Sequence, residues 1–302
     1  MSTHVIVGAG GTGAATARLL AERGDRVRLV TRKGTGPAHP LIDLVRLDAL
    51  DTEALAELTE GAAALYNAAM PDYTRWPELL PPLYASILLA AEHTGVPYVM
   101  LGNLYAYGPS EAPLTEDTPL NPVSVKGRVR ADVWRAALDA HRAGRVRVAE
   151  VRSGQFLGPG AVSSFSLLAQ PKVLAGRLAL IDGEPDVPHS YTSTVDAAHA
   201  LIAVAGSTDD ADWGRAWHAP AISATPRELA TRLAALTGSP EPRLEALTER
   251  EMELLAVSVP FFGELPEMAY MSHKPLHVDA TAIEKRFGLR AEDVDEVLRS
   301  GL

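Results

Sequence analysis

The sequence predicts an α/β fold, a doubly wound parallel sheet followed by a smaller C-terminal domain. In the N-terminal half of the 302 residues, short apolar segments alternate with longer segments of helical periodicity. Strands separated by helices of such length form parallel sheets with helices on both faces. A glycine-rich turn follows the first apolar segment, and the alternation fades after Arg152, where glycine and proline become frequent.

The apolar segments and the glycines that flank them give the bounds of the predicted elements. Strands are expected at residues 4–10, 26–32, 44–49, 63–69, 96–103 and 145–152. Helices are expected at residues 13–24, 52–58, 79–94, 125–142 and 225–238. The last of these carries the strongest signals, because Thr225 can cap it, Pro226 suits its first position and Glu228 completes a capping box. We expect a first domain of residues 1–152 with a return segment near 190–216, and a second of residues 153–189 and 217–302.

Composition excludes several classes of protein. The net charge of −10 argues against a nucleic-acid-binding surface. The absence of cysteine excludes disulfides, zinc–thiolate sites and thiol nucleophiles. The N-terminus lacks the features of a signal peptide, and the most apolar segment, residues 79–91, is too short to span a bilayer. We therefore expect a cytoplasmic protein with no membrane or nucleic-acid partner, for which a homodimer is allowed.

The glycine-rich turn has the spacing of a dinucleotide-binding site. Gly8, Gly10 and Gly13 form the pattern G-x-G-x-x-G between the first strand and the first helix, and Gly11 and Thr12 lie within it. Glycines there permit a tight turn and a close approach of the backbone to a pyrophosphate, which the helix N-terminus faces. A purely structural turn is the alternative, but the context of strand, turn and helix favours a Rossmann-type domain that binds a dinucleotide.

Basic residues after the second strand favour NADP(H) over NAD. An NAD site places an acidic residue there to accept hydrogen bonds from the ribose 2′-hydroxyl, whereas this chain has Arg32 and Lys33. Two cations suit the 2′-phosphate of NADP, and two exposed loop residues are the alternative. Asp48, at the end of the third strand, is a candidate for contact with the adenine amine, unless its carboxylate instead caps the next helix.

Several motifs in order along the chain resemble the extended short-chain dehydrogenases/reductases of the epimerase/dehydratase type. The resemblance implies a Rossmann domain that binds NAD(P), a smaller C-terminal substrate-binding domain and a cleft between them. It covers nearly the whole chain and rests on Gly8 to Gly13, Asn67-Ala68-Ala69, Tyr107-Gly108-Pro109, Arg152 with Gly158-Pro159, His189-Ser190-Tyr191 followed by Asp196, and residues 277–289.

The chain departs from this family at its catalytic positions. The family has a Tyr and a Lys four residues apart on one helix, and a Ser or Thr after the fifth strand. Aligned on Tyr107-Gly108, the Ser/Thr position is Asn103, and aligned on the segment 126–130, the tyrosine position is Lys126 and the lysine position Arg130. The chain thus keeps the cofactor-binding motif but lacks the usual catalytic residues. In this it resembles the atypical branch of the family, which includes natural-product ketoreductases of the simocyclinone type.

Without the tyrosine, the candidates for catalysis are Lys126, Asn103 and Tyr105. Lys126 can donate a hydrogen bond or, when desolvated, a proton, whereas Asn103 can only donate a hydrogen bond to an oxyanion. Arg130 can hold the ribose or a phosphate but cannot act as an acid at neutral pH. Packing is the alternative role for Tyr105. A phenol or enol beside the ketone could also supply the proton from the substrate itself.

The predicted contacts with ligands follow from these positions. Cofactor contacts are expected at Gly8, Gly10, Gly11, Thr12, Gly13, Arg32, Lys33, Asp48, Asn67, Ala68, Ala69, Lys126, Arg130 and Gln155. Substrate contacts are expected at Met70, Tyr107, Gln155, Phe156 and Tyr191, with turn or packing roles as the alternatives. No metal site is expected, because Pro275 lies between His273 and His277 and disfavours the helix that would align them.

The sequence leaves three functions open. The first is an NADPH-dependent ketoreductase that acts on a bulky small-molecule ketone, an aromatic compound of the polyketide type made in antibiotic biosynthesis. The second is a non-catalytic NADP-binding sensor or regulator. The third is a sugar-nucleotide epimerase or dehydratase, which the fold allows but which the missing tyrosine opposes.

Overall fold

A computed structural model describes all residues from Met1 to Leu302. Its strands are β1 (Thr3–Val7), β2 (Arg26–Thr31), β3 (Ile42–Arg46), β4 (Ala64–Asn67), β5 (Tyr98–Asn103), β6 (Val148–Ser153), β7 (Gln155–Leu157), β8 (Ala179–Ile181), β9 (His189–Ser193), β10 (Arg215–His218), β11 (Ile222–Ala224) and β12 (Leu244–Ala246). Its α-helices are α1 (Gly11–Glu22), α2 (Thr52–Thr59), α3 (Trp76–Thr94), α4 (Val125–Arg142), α5 (Gln170–Leu174), α6 (Thr194–Ala205), α7 (Pro226–Thr237), α8 (Glu249–Ala256), α9 (Thr281–Phe287) and α10 (Val294–Ser300). None of these helices is both long and apolar enough to cross a bilayer.

The main sheet confirms the predicted fold class. Seven parallel strands lie in the order β10-β6-β5-β4-β1-β2-β3, and helices cover both faces. One face buries a core formed with α2, α3 and α4, and the other buries a core formed with α1, α6 and α9. The strand order reverses direction at β1 and β4, so the carboxyl ends of these strands open a crevice where open α/β sheets bind their ligands.

The N-terminal predictions are confirmed, apart from element ends and one helix start. α4 and α7 have the predicted extents, and α7 carries the full capping box of Thr225 and Glu228. α3 begins at Trp76, three residues before its predicted start, because Pro77 occupies its first turn and the Asp72 carboxylate caps the preceding turn.

The C-terminal half has its own small sheets, which hold the second domain. β11, β9 and β7 form one sheet, β12 and β8 form another, and a separate apolar core packs beneath them. The predicted return segment, residues 190–216, contains α6 and the first two residues of β10, which ends at His218. α9 also packs on the main sheet, through Ile283 and the ring of Phe287 against Trp217, although the predicted division assigns it to the second domain.

Candidate functional site

The glycine turn after β1 is shaped to receive an anion. Gly8 has φ +100°, and a Cβ there would lie 2.6 Å from the Ala68 carbonyl oxygen, so only glycine fits. A Cβ on Gly13 would collide with the Gly8 carbonyl oxygen. A Cβ on Gly10, in contrast, would meet no atom within 4 Å, and no side chain caps the N-terminus of α1. The first N–H groups of α1 therefore have no capping side chain, and the open space beside Gly10 fits the pyrophosphate of a dinucleotide, although Gly11 packs against the carbonyls of Pro159 and Gly160.

Three cations gather at the end of β2, where the adenosine ribose of a dinucleotide would lie. Arg32 and Lys33 directly follow β2, are exposed and have no carboxylate partner. Arg46 joins them, because it pairs with Thr31 in the register of β2 and β3. The cluster carries positive charge that the protein itself does not neutralise, which fits a phosphate on the ribose.

The side chains of two further predicted cofactor residues, Asp48 and Asn67, form hydrogen bonds within the protein. Asp48 is exposed, and its carboxylate accepts the backbone N–H of Leu50 at 3.1 Å. The residue that caps α2 is Asp51, not Asp48, so the alternative role predicted for Asp48 is wrong. The Asn67 side chain is fully buried and is occupied by the Tyr98 hydroxyl and the backbone N–H of Ala69, so it braces the end of β4.

Lys126, at the tyrosine position, is buried and enclosed by carboxylates from the segment 260–271. Its Nζ donates hydrogen bonds to Glu264 and Glu267 and lies 4.7 Å from the centre of the Tyr73 ring. Glu267 also accepts the backbone N–H of Val125, the first residue of α4, at 2.8 Å. Two of the three N–H donors of Lys126 are thus engaged by carboxylates, which leaves it a poor candidate for proton transfer to a substrate in this arrangement.

Arg130, at the lysine position, is a buried cation without a carboxylate partner. Its guanidinium stacks on the Trp76 ring at 4.7 Å and donates to the Tyr84 hydroxyl at 2.9 Å and the Leu101 carbonyl at 3.3 Å. A further nitrogen contacts the Met70 sulfur at 3.3 Å, and Nε has no partner. A buried and uncompensated cation at the carboxyl end of β5 fits an anionic or hydroxyl-rich ligand, which agrees with its predicted contact with the cofactor.

Tyr105 and Tyr73 form a hydroxyl pair beside Lys126. Their oxygens lie 3.4 Å apart, and burial raises the pKa of both hydroxyls above the ordinary tyrosine value. Asn103 uses its side-chain oxygen to accept the Tyr105 backbone N–H at 3.2 Å. A raised pKa makes each tyrosine a weaker acid, so the pair is less suited to the role of the missing donor.

Two residues that were predicted to contact the substrate, Tyr107 and Tyr191, contact other protein groups instead. The Tyr107 hydroxyl pairs with Nε2 of His218 at 2.7 Å, and the Arg152 guanidinium covers its ring at 4.7 Å. Arg152 in turn forms a buried ion pair with Glu150 at 2.7 Å. Tyr191 is almost fully buried and packs in the core of the second domain. We therefore correct the prediction for Tyr107, because its hydroxyl and its ring both have protein partners.

Met70, Phe156 and Gln155 remain at the carboxyl edge of the sheet. Met70 is exposed beside Arg130, and Phe156 is half-buried against the core of the main sheet. Gln155 begins β7, directly after β6, and lines a small recess in the second domain with Tyr191 as one wall. These placements are compatible with the predicted substrate contacts of Met70, Phe156 and Gln155.

The recess beside Gln155 contains buried polar groups that have no partner. Oδ1 of Asp182, Nδ1 of His189 and Oγ of Ser164 line it, and none of the three atoms forms a hydrogen bond. Burial raises the pKa of Asp182 to about 7 and lowers the pKa of His189 to about 4. At neutral pH the imidazole is therefore uncharged, and the carboxyl is about half protonated.

An Asp182→Asn variant is expected to be more stable than the wild-type chain at high pH. The folded-state pKa lies above the unfolded value, so wild-type stability falls as pH rises from about 4 to about 7, and the loss is complete above that. The gain should be close to zero near pH 4 and about 1–3 kcal/mol at pH 8, measured by urea unfolding. An equal gain at both pH values would show that the carboxylate is not desolvated.

Several residues of this site are distant from it along the chain and could not be predicted from local sequence patterns. Glu264 and Glu267 lie more than 130 positions after Lys126 along the chain, and no local motif marks them. Asp182 and His189 lie in a segment that the sequence shows only as rich in glycine and proline. The stacking of Trp76 on Arg130 is likewise a contact that no local spacing indicates.

A family model matches most of the chain. The model is described as the NAD dependent epimerase/dehydratase family and aligns with residues 4–218, which span β1 to β10. The match includes the glycine turn, the cation cluster after β2 and both Lys126 and Arg130. A search of curated proteins found no relative that matches the sequence.

Solved structures share the fold at low sequence identity. A UDP-glucose 4-epimerase from Thermotoga maritima, solved with UDP-glucose, has a TM-score of 0.79 at 15% identity, over 99% of this chain and 96% of that one. A dTDP-glucose 4,6-dehydratase from Streptomyces venezuelae, solved with NAD, has a TM-score of 0.77 at 19% identity, with the same coverages of 99% and 96%. A UDP-glucuronic acid 4-epimerase from Bacillus cereus, solved with UDP-glucuronic acid and NAD, has a TM-score of 0.79 at 15% identity, over 99% and 97%.

Proposed function

The chain belongs to the NAD dependent epimerase/dehydratase family, and from that premise we propose that it is an NADPH-dependent ketoreductase without an enzyme-borne tyrosine acid. Its substrate is a bulky aromatic ketone of the polyketide type, reduced to an alcohol. The observation that carries the proposal is the state of Lys126, which occupies the position of the acid and is bound by Glu264 and Glu267. Because Lys126 is engaged in this way, the proton that the alkoxide product needs comes from another group.

Different residues around the crevice bind different parts of the cofactor. The glycine turn and the N–H groups of α1 receive the pyrophosphate, and Arg32 and Lys33 receive the 2′-phosphate. Arg130, stacked on Trp76, holds the ribose next to the nicotinamide. The cofactor supplies the hydride when it is bound. The segment 260–271 lies against this side of the crevice, because the Tyr73 ring packs on Phe261 and the Tyr105 carbonyl accepts a hydrogen bond from the Tyr270 hydroxyl.

A substrate that brings its own proton removes the need for the tyrosine. Hydride addition to a ketone leaves an alkoxide, which takes a proton from a phenol or enol beside it. The phenolate that remains is stabilised by conjugation and recovers its proton from solvent after release. The positive charge of Arg130, which has no carboxylate partner, favours the transient anion electrostatically, whereas the charge of Lys126 is offset by Glu264 and Glu267.

Single variants of the candidate acids test this proposal. We expect Tyr105→Phe and Lys126→Met to lower kcat by less than about tenfold, because neither group transfers the proton. The assay follows NADPH absorbance with α-tetralone that carries a hydroxyl group peri to its ketone, and unsubstituted α-tetralone is the matched substrate. The hydroxylated ketone should react faster by about 100-fold or more. A fall in kcat of about 1,000-fold for either variant would point to an enzyme-borne acid and contradict the proposal.

A sugar-nucleotide epimerase or dehydratase is the second candidate. The solved structures with the same fold include enzymes bound to UDP-glucose and UDP-glucuronic acid, which favours this class. Such an enzyme returns the hydride to its product, so it shows no net change in cofactor absorbance. Incubation with UDP-glucose and either dinucleotide, followed by chromatography of the sugar nucleotide, separates this activity from net ketone reduction.

A further inference from the structure

The recess in the second domain differs from the rest of the interior by its unpartnered polar atoms. Nine buried side-chain nitrogen and oxygen atoms in the chain have no hydrogen bond, and three of them belong to Ser164, Asp182 and His189, which line this one recess. Buried polar groups are nearly always paired, since leaving one unpaired costs free energy. Three such atoms around one cavity indicate a site that a ligand or an ordered water completes.

The chemistry of the lining defines what the recess can hold. Its volume is about 10 Å³, room for one water-sized group. Asp182 offers carboxyl oxygens, neutral His189 offers a ring nitrogen, and Ser164 offers a hydroxyl. No lysine or arginine lines the recess, and its two charged residues, Asp182 and Glu184, are both acidic. The recess is therefore suited to a small group that donates hydrogen bonds, and unsuited to an anion.

The recess lies on the catalytic side of the second domain. Gln155, one of its lining residues, begins β7 directly after β6 at the carboxyl edge of the main sheet. A substrate that contacts Gln155 at this edge can therefore extend a substituent into the recess.

We propose that this recess is a specificity subsite that binds a hydroxyl or amino substituent of the substrate through Asp182, His189 and Ser164. The inference rests on the proposed ketoreductase function and names its substrate class as an uncharged ketone with a hydrogen-bond donor remote from the reacting carbonyl. An acidic lining without a cation also makes the recess itself unsuited to a phosphate group.

The test measures binding by calorimetry in the presence of saturating NADPH. The probes are α-tetralone, α-tetralones with a single hydroxyl group at each ring position remote from the ketone, and UDP-glucose. The wild-type protein should bind one hydroxylated tetralone at least about tenfold more tightly than the parent compound. UDP-glucose should show no saturable binding at millimolar concentration.

Two variants and a control assign the preference to the recess. Asp182→Asn and Ser164→Ala should each reduce the preference for the hydroxylated ketone over the parent compound to about threefold or less. Asp186→Asn, which alters an exposed carboxylate in the same loop, should keep the wild-type preference. Ser164→Ala removes one hydroxyl and little volume and leaves the charge of Asp182 in place, so it tests the recess independently of that carboxyl group.

The outcomes separate the subsite from the proposed reaction. Equal affinities for all the tetralones, or no affinity for any of them, would overturn the proposal and indicate that the recess holds an ordered water only. Micromolar binding of UDP-glucose would contradict the ketoreductase function on which the inference rests. A hydroxyl preference that depends on Asp182, without any NADPH oxidation, would support the subsite and reject the ketoreductase function.

Discussion

A Gly10→Ala variant is expected to fold as the wild-type chain does and to bind NADPH about 100-fold more weakly, a loss of about 2.8 kcal/mol. The added methyl group meets no protein atom within 4 Å, and the backbone at Gly10 has φ −68°, which alanine adopts without strain. The methyl group does occupy the open space in front of α1, where the pyrophosphate approaches. Titration of NADPH fluorescence gives the affinity, and thermal unfolding without the cofactor gives the stability.

Gly8→Ala is the matched contrast for this variant. It forces an L-residue into φ +100° and places its Cβ against the Ala68 carbonyl, so it should lower the stability of the free protein by several degrees in Tm. Gly10→Ala should leave Tm within about one degree of the wild-type value. Unchanged NADPH affinity in Gly10→Ala would mean that the pyrophosphate does not lie at this helix N-terminus.

Replacement of Arg32 and Lys33 by alanine is expected to weaken NADPH binding about 100-fold and to change NADH binding by less than about threefold. The two cations contribute charge-assisted contacts to the 2′-phosphate that NADH lacks, and at this exposed position we expect them to be worth about 3 kcal/mol together. The measurement is the ratio of dissociation constants for the two cofactors, by fluorescence titration at two salt concentrations. The NADPH affinity of the wild type should also fall as salt increases, because the cluster is exposed.

Arg128→Ala with Arg135→Ala is the control for this pair. Both arginines are exposed on α4, away from β2. Their replacement removes two positive charges, as the replacement of Arg32 and Lys33 does. An equal loss of NADPH affinity in the control would indicate a general effect of net charge. Equal losses for NADPH and NADH in the Arg32 and Lys33 variant would contradict the assignment of the 2′-phosphate to this cluster.

The parts of the fold that local sequence determines could be predicted. The glycine turn, the extent of α4 and the capping box of α7 depend on residues within a few positions of one another, and they have the predicted form. The start of α3 was missed because Pro81 and Pro82 lie inside the helix, where proline normally argues for a boundary. The strand β10 was missed because its four residues, Arg215 to His218, show no clear alternation of apolar and polar side chains.

The candidate site was predictable at its cofactor end and much less so at its catalytic end. The position of Lys126 follows from the alignment of one helix, but its enclosure by Glu264 and Glu267 depends on how a distant segment folds back. The pairing of Tyr107 with His218 joins residues 111 positions apart. No local pattern encodes such contacts, since tertiary packing alone determines them.

Hydride transfer from NADPH to a ketone without an enzyme-borne acid is the step on which the proposed function depends. The decisive measurement is the oxidation of NADPH, followed at 340 nm (the usual absorbance of the reduced nicotinamide) with the peri-hydroxylated α-tetralone, together with quantification of the alcohol. We expect one alcohol formed for each NADPH consumed, and activity kept within about tenfold in Lys126→Met and Tyr105→Phe. NADPH binding with no alcohol from this ketone, together with conversion of UDP-glucose without net cofactor oxidation, would contradict the proposed function.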